Sequence, residues 1–184
     1  VTSCPLTYLF AFLTMIILII LTILFPYLSS KQKSFQDLEG LIELVRPLEA
    51  AGILVARSRD QLLSELPYIT VLERESKILA CATMRNLGAD AAGKEVAELA
   101  AFAVHPGYRG GGKGDSLLEF LERDAVSKGV ESLVLLTTRT ADWFQQRGFS
   151  PAGPAHEAVE ILPEQRRLRI DPARNSQLYV KLLK

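Results

Sequence analysis

The chain has 184 residues, 48% of them hydrophobic, enough for one domain with a sizeable core. Its 21 basic residues are balanced by 21 acidic ones, so it lacks the basic footprint of a nucleic-acid binder and no such partner is expected. Two cysteines, Cys4 and Cys81, cannot build a disulfide framework or a metal set, and no metal is expected.

Residues 1–30 form an apolar segment of a different class from the rest. No charge occurs from Leu6 to Leu28, and Phe10 to Phe25 is nearly all Leu, Ile, Phe, Thr and Met. A run of about 20 apolar residues can span a bilayer as a helix. Lys31 and Lys33 would favour the cytoplasm-like side for that end. The run lacks the basic start of a secretory signal and the Ser- and Arg-rich make-up of a transit peptide. Three readings stand side by side: a transmembrane helix with membrane contact through residues 6–28, a translated non-coding stretch, and a buried helix. The chain opens on Val1 rather than Met, as a fragment or a processed product does.

From residue 36 to residue 184 the pattern is α/β. Leu38, Leu41, Ile42, Val45 and Leu48 recur at three- and four-residue steps and predict a helix that Pro47 bends or ends. Ile53-Leu54-Val55 reads as a short strand, and Arg59 to Leu66 as a helix stopped at Pro67. Tyr68–Leu72 and Ile78–Thr83 read as strands joined by a hairpin turn at Glu75-Ser76-Lys77. Asn86 to Lys94 reads as a mobile connection. Val96–Val104 is the expected central strand, followed by a helix over Ser116–Lys128 that turns Leu117, Leu118, Phe120 and Leu121 to the sheet. Further expected elements are a strand at Leu133–Thr137, a helix at Ala141–Gln146 with Gly148 beyond it, and a strand at Val159-Glu160-Ile161. A helix starting at Pro163 and a last strand over Gln177–Leu183 complete the pattern.

Between the central strand and its helix lies Tyr108-Arg109-Gly110-Gly111-Gly112-Lys113-Gly114-Asp115. Glycines there permit tight turning and close backbone approach. Backbone N–H groups at such a turn, backed by a helix N-terminus, make a nest for phosphate. Lys113 is followed by Gly114 rather than Ser or Thr, which excludes a P-loop. The glycine spacing does not fit a dinucleotide fingerprint either. What fits is Arg-x-x-Gly-x-Gly, carried by Arg109, Gly112 and Gly114.

This loop resembles the acetyl-CoA pyrophosphate loop of the GNAT superfamily of N-acetyltransferases. The likeness extends through Pro47-Leu48-Glu49, Arg57-Ser58-Arg59, Ala80-Cys81-Ala82, Glu98–Val104, Leu136–Thr140, Trp143-Phe144, Arg147-Gly148-Phe149, Leu162-Pro163-Glu164 and Arg174-Asn175-Ser176. Taken in order these resemble the acetyltransferase domain of N-acetylglutamate synthase over roughly Gln36 to Leu183. The resemblance implies the GNAT acyl-CoA N-acyltransferase fold, a mixed central sheet flanked by helices, here behind an apolar N-terminal segment. It implies acetyl-CoA as cosubstrate, L-glutamate as acceptor, and the first step of arginine synthesis. Two alternatives remain: acetylation of another small amine, and a catalytically degenerate ligand-binding or regulatory fragment. Full-length members carry an amino-acid-kinase-like domain, which has no counterpart in this chain, and homo-oligomers fit the family. Plastid stroma is the expected compartment by family analogy, with the cytoplasm, or a membrane anchored through residues 6–28, as alternatives. The family's first strand, which carries an arginine that contacts substrate, should precede Gln36, where the apolar segment stands; its loss would expose a sheet edge.

Glu98 is the candidate base. A carboxylate in the apolar run Val96–Val104 needs a partner or a raised pKa, and it also falls on the glutamate that opens this strand in the family. An outward-facing strand residue or an ion pair is the plainer account. The resemblance implies acetyl-CoA contacts at Phe102, Ala103, Val104, Arg109, Gly110, Gly111, Gly112, Lys113 and Gly114, and substrate contacts at Arg174, Ser176 and Arg139. Arg174 and Ser176 lie two apart, on one face if the chain is extended. Thr137 and Thr138 are candidates to orient water or substrate. His105 reads as an exposed strand-end residue, Arg166, Arg167 and Arg169 as surface ion-pair residues, and Trp143, Phe144 and Phe149 as core.

Overall fold

The computed structural model describes residues 29–32, 37–154, 158 and 161–184. The uncharged run at 6–28 lies outside them. Among the described residues no helix is long and apolar enough to cross a membrane, so the expected transmembrane helix is not found among them.

The sheet begins at β1 (Ser29–Gln32), so a first strand is present where the sequence pattern showed only an apolar segment. Its residues Ser-Ser-Lys-Gln hold no arginine, and it pairs antiparallel with β2 (Ile69–Arg74) from Ser29↔Glu73 to Gln32↔Thr70. Helix α1 (Leu38–Ala50) buries Leu38, Leu41, Leu44, Val45 and Leu48 along one stripe. Pro47 does not end it. A proline removes one N–H near the helix end, and the last turn is tied instead by Ala51 N–H to the Pro47 carbonyl at 3.1 Å. Ile53-Leu54-Val55 is not a strand: the N–H groups of Ile53 and Leu54 both donate to the Leu48 carbonyl and close off the helix. Helix α2 (Arg59–Glu65) starts on a capping box in which Ser58 Oγ accepts from Gln61 N–H and Gln61 Oε1 accepts from Ser58 N–H.

Strand β2 turns into β3 (Lys77–Ala89) through Glu75 and Ser76, at φ 52° and 60°, the left-handed pair that a two-residue hairpin requires. Strand β3 runs well past Thr83 because it finds a partner in β4 (Glu95–Val104); the expected mobile connection shrinks to the turn around Asp90–Lys94. Then follow α3 (Lys113–Ser127), β5 (Ser132–Thr137), α4 (Ala141–Gln145), β6 (Ser150–Pro154), α5 (Glu164–Arg167) and β7 (Gln177–Leu182). The strand expected at residues 159–161 falls largely outside the described residues.

Among the described residues seven strands make one mixed sheet in the order β1-β2-β3-β4-β5-β7-β6. Strands β4 and β5 are parallel, and the other pairs are antiparallel. Alternation sorts the side chains between two faces. One face packs Ala80, Ala82, Ala97, Leu99, Leu133 and Leu135 against Leu117, Leu118 and Leu121 of α3. The other packs Ile69, Val71, Cys81 and Ala103 under α1 and α2. Farther along that second face, Val96, Val134 and Leu178 pack with Ala158 and Leu162.

Candidate active site

The cleft is made by two strands that part. Strands β4 and β5 pair only from Val96↔Ser132 to Leu99↔Leu135. Beyond Leu99, β4 bulges at Ala101, which sits at φ 50°, and its register against β3 jumps from Thr83↔Ala100 to Cys81↔Ala103. The extra residue carries Phe102 onto the α3 face, where its ring lies 5.3 Å from Trp143 and 5.5 Å from Phe144. The backbone of Phe102, Ala103 and Val104 therefore has no β5 partner. It offers a strand edge to an extended ligand. Ala100, the first residue of the central strand beyond the β5 pairing, is exposed.

The chain leaves β4 through His105, whose Nδ1 accepts from Gly107 N–H, and through a short 3-10 turn at Pro106–Tyr108. Arg109 Nε donates back to the Val104 carbonyl at 3.2 Å and ties the loop to the strand. Gly110 and Gly112 adopt φ 77° and 71°, the left-handed region that glycine occupies without strain. A Cβ at either would meet nothing within 4 Å, so backbone conformation rather than space demands glycine there. Gly112 is the N-cap of α3, and the first N–H groups of that helix point out of the fold toward this loop. Gly114 has a different reason. It is buried, and a Cβ on it would lie 2.9 Å from Trp143 Cζ2.

Asp115 in the first turn of α3 would oppose an anion. Its charge is engaged by Arg147, whose Nε donates to Asp115 Oδ1 at 2.6 Å while the guanidinium stacks 3.8 Å from the Trp143 ring centre. The loop, its lysine and the helix terminus together fit a pyrophosphate. Of the expected cofactor residues, Arg109 and Gly110 to Gly112 are exposed, Phe102, Val104 and Lys113 are half-buried, and Ala103 and Gly114 are buried.

Glu98 sits on β4 two residues before the exposed Ala100 and is 6% exposed. Both of its oxygens accept hydrogen bonds from Arg166 of α5, Oε2 from Nε and Oε1 from Nη2, each at 2.6 Å. That pairing holds the Arg166 guanidinium above its ordinary range, the Glu98 hydrogen bonds outweighing burial, which works the other way. The sequence reads Arg166 as a surface ion-pair residue; it is half-buried, and its ion-pair partner is the buried Glu98 on the central strand.

Arg174 and Ser176 lie at the entry to β7, beside the C-terminal end of β5, since Gln177 pairs with Thr137. They are half-buried, but the segment is not extended: Arg174 closes a 3-10 turn and Asn175 is at φ 49°. Arg174 and Ser176 therefore do not share a face by strand alternation. Arg139 is exposed just past β5. Thr137 Oγ1 accepts from the N–H groups of Arg139 and Thr140 and caps the following turn. Phe144 and Phe149 are core, and Trp143 is half-buried between Phe102, Gly114 and Arg147.

A family model for the acetyltransferase (GNAT) family matches residues 38–149. The chain is 46% identical over 153 residues to an amino-acid acetyltransferase of Pseudomonas putida (strain GB-1), a match covering 83% of this chain and 33% of that protein. It therefore spans about a third of the length of the curated relatives it matches. N-acetylglutamate synthase from Neisseria gonorrhoeae, solved with coenzyme A and N-acetyl-glutamate, is similar with a TM-score of 0.76 and 34% identity, over 86% of this chain and 35% of that one. The same enzyme with coenzyme A and L-arginine is similar with a TM-score of 0.70 and 32% identity, over 85% and 33%.

Proposed function

The chain belongs to the acetyltransferase (GNAT) family, and from that premise we propose that it moves an acetyl group from acetyl-CoA to the α-amine of L-glutamate, the first step of arginine synthesis. One observation carries the reading. A buried carboxylate, Glu98, held by Arg166, lies on the central strand beside the point where β4 and β5 part. The Neisseria gonorrhoeae structure with coenzyme A and N-acetyl-glutamate supports the choice of substrate pair.

In this reading the nest from Arg109 to Gly114 holds the cofactor pyrophosphate. The free edge of Phe102–Val104 pairs with the cofactor's amide arm. A backbone N–H there donates to the thioester oxygen as charge develops on it. Glu98 takes the proton of the substrate ammonium, directly or through water. The amine nitrogen then bonds to the acetyl carbon, the carbon–sulfur bond breaks, and the proton released from nitrogen as the amide forms passes through water to the departing thiolate. Trp143 and Phe144 have no hydroxyl to serve as acid, and Trp143 offers only its indole N–H. Arg174, Ser176 and Arg139 grip the two carboxylates of glutamate, a task suited to guanidinium forks.

Thiol release from acetyl-CoA by the whole chain, dependent on L-glutamate, tests this. Turnover with other small amines but not glutamate would move the reading to a different acceptor. The absence of arginine from Ser29–Gln32 favours that second reading, because the family's first strand supplies a substrate-binding arginine. Plastid stroma is the proposed compartment on family analogy. Fractionation with an antibody to residues 36–184 checks it, and a cytoplasmic pool overturns it.

A further inference from the structure

Two arginines lie within reach of Glu98, and one of them is held elsewhere. Arg85 on β3 is the cross-strand partner of Glu98, on the same face of the sheet. Directly opposed residues have Cβ atoms about 5 Å apart, well within an arginine's span. Arg85 turns the other way. Its Nη2 lies 3.3 Å from Glu65 Oε1, and its guanidinium sits over the Tyr68 ring, 4.6 Å from the centre. The second oxygen of Glu65 accepts from Arg57 Nη1 at 2.9 Å, and Arg57 N–H in turn donates to Glu49 Oε1. This run of alternating charge stops one side chain short of Glu98.

A carboxylate has about four lone-pair sites, and Arg166 occupies two of those on Glu98. A second guanidinium would take the rest and would repel an incoming ammonium. We infer that Glu65 is a positioning residue: by holding Arg85 against Tyr68, it keeps the acceptor side of Glu98 open to the substrate amine. The inference rests on the reading of Glu98 as the base.

The test uses the whole chain in four forms: wild type, Glu65→Gln, Arg85→Leu, and the double variant. Glu65→Gln should lower kcat about tenfold, by blocking the proton acceptor, with the KM for acetyl-CoA unchanged. Arg85→Leu should stay near wild type. The double variant should recover to within about twofold of wild type, because the arginine that blocks the base is gone. A purely structural role for Glu65 predicts the reverse, a double variant no better than the single one, and that result overturns the inference. Tyr68→Leu, which removes the ring beneath Arg85, should shift kcat in the same direction. In crystals of Glu65→Gln, the Arg85 guanidinium should hydrogen-bond Glu98; Arg85 still seated over Tyr68 also overturns the inference. That crystallographic readout needs no turnover, so a wild-type chain inactive on glutamate counts against the glutamate reading alone.

Discussion

Arg166 holds Glu98 by both oxygens at once, across 68 positions of sequence. The geometry is a planar fork meeting a carboxylate, and it places the only charged group of the Val96–Val104 run at a single orientation on the central strand. Replacing Arg166 with Leu leaves a buried carboxylate without its partner. Arg166 is itself partly exposed, so the loss should fall near the lower end of the range for broken buried pairs, about 3 kcal/mol. Urea unfolding of the two proteins measures it, and an unchanged midpoint would show that water replaces the guanidinium at no cost.

Glu98→Gln keeps the shape and removes the proton acceptor. Cofactor and glutamate binding should hold, while turnover falls about a hundredfold. Raising the pH should recover part of the loss, because more of the substrate amine is then already neutral. A pH–rate profile for both proteins checks this; parallel profiles would assign Glu98 to structure.

Gly112 at φ 71° and Gly111, outside the left-handed region, make an internal control. Gly112→Val forces a β-branched residue into left-handed backbone, at about 1–2 kcal/mol, and should weaken acetyl-CoA binding about tenfold. Gly111→Ala should bind nearly as wild type does. Calorimetry with acetyl-CoA decides, and equal affinity in the Gly112 variant would remove the pyrophosphate from this loop.

Arg174→Ala should leave acetyl-CoA affinity intact and weaken glutamate by roughly 2–5 kcal/mol, at least about 30-fold in KM. Equal losses for both ligands would indicate that the 3-10 turn ending at Arg174 supports the fold rather than the acceptor.

Burial pushes the Cys81 thiol up from its ordinary 9.0 to about 12, against a smaller opposing pull from Arg57. The native state therefore holds the thiol proton more tightly than the unfolded chain does. Its contribution to stability is complete below pH 9.0 and is lost as pH rises toward about 12. Comparing unfolding of the Cys81→Ala variant with wild type across that window isolates the effect, and identical pH slopes would refute it.

The glycine loop, the leucine stripe of α1 and the Glu75-Ser76 hairpin were legible in the sequence because each rests on neighbours within a few residues. The partnership of Arg166 with Glu98 was not. No local pattern links residues so far apart, and Arg166 stands among Arg167 and Arg169 with nothing to distinguish it. The extent of β3 was hidden for a related reason. Arg85, Asn86 and Gly88 are poor strand formers, and they are extended because Glu98, Ala97 and Val96 pair with them. Likewise Ser29–Gln32 contains no β-branched or aromatic residue, and it becomes a strand only by laying against β2.

The order of strands at one side of the sheet has a consequence for how the chain is made on the ribosome. Strand β7 lies between β5 and β6, and among the described residues β6 pairs with β7 alone. During synthesis, β5 and β6 both emerge before the strand that joins them. Strands β1 to β5 can assemble as the chain lengthens, whereas β6 must wait, unpaired, for Gln177–Leu182 to arrive. Arg174 and Ser176 reach their places beside β5 only with that last insertion. A nascent chain halted before β7 would thus display a folded glycine loop and an unfinished edge of the sheet.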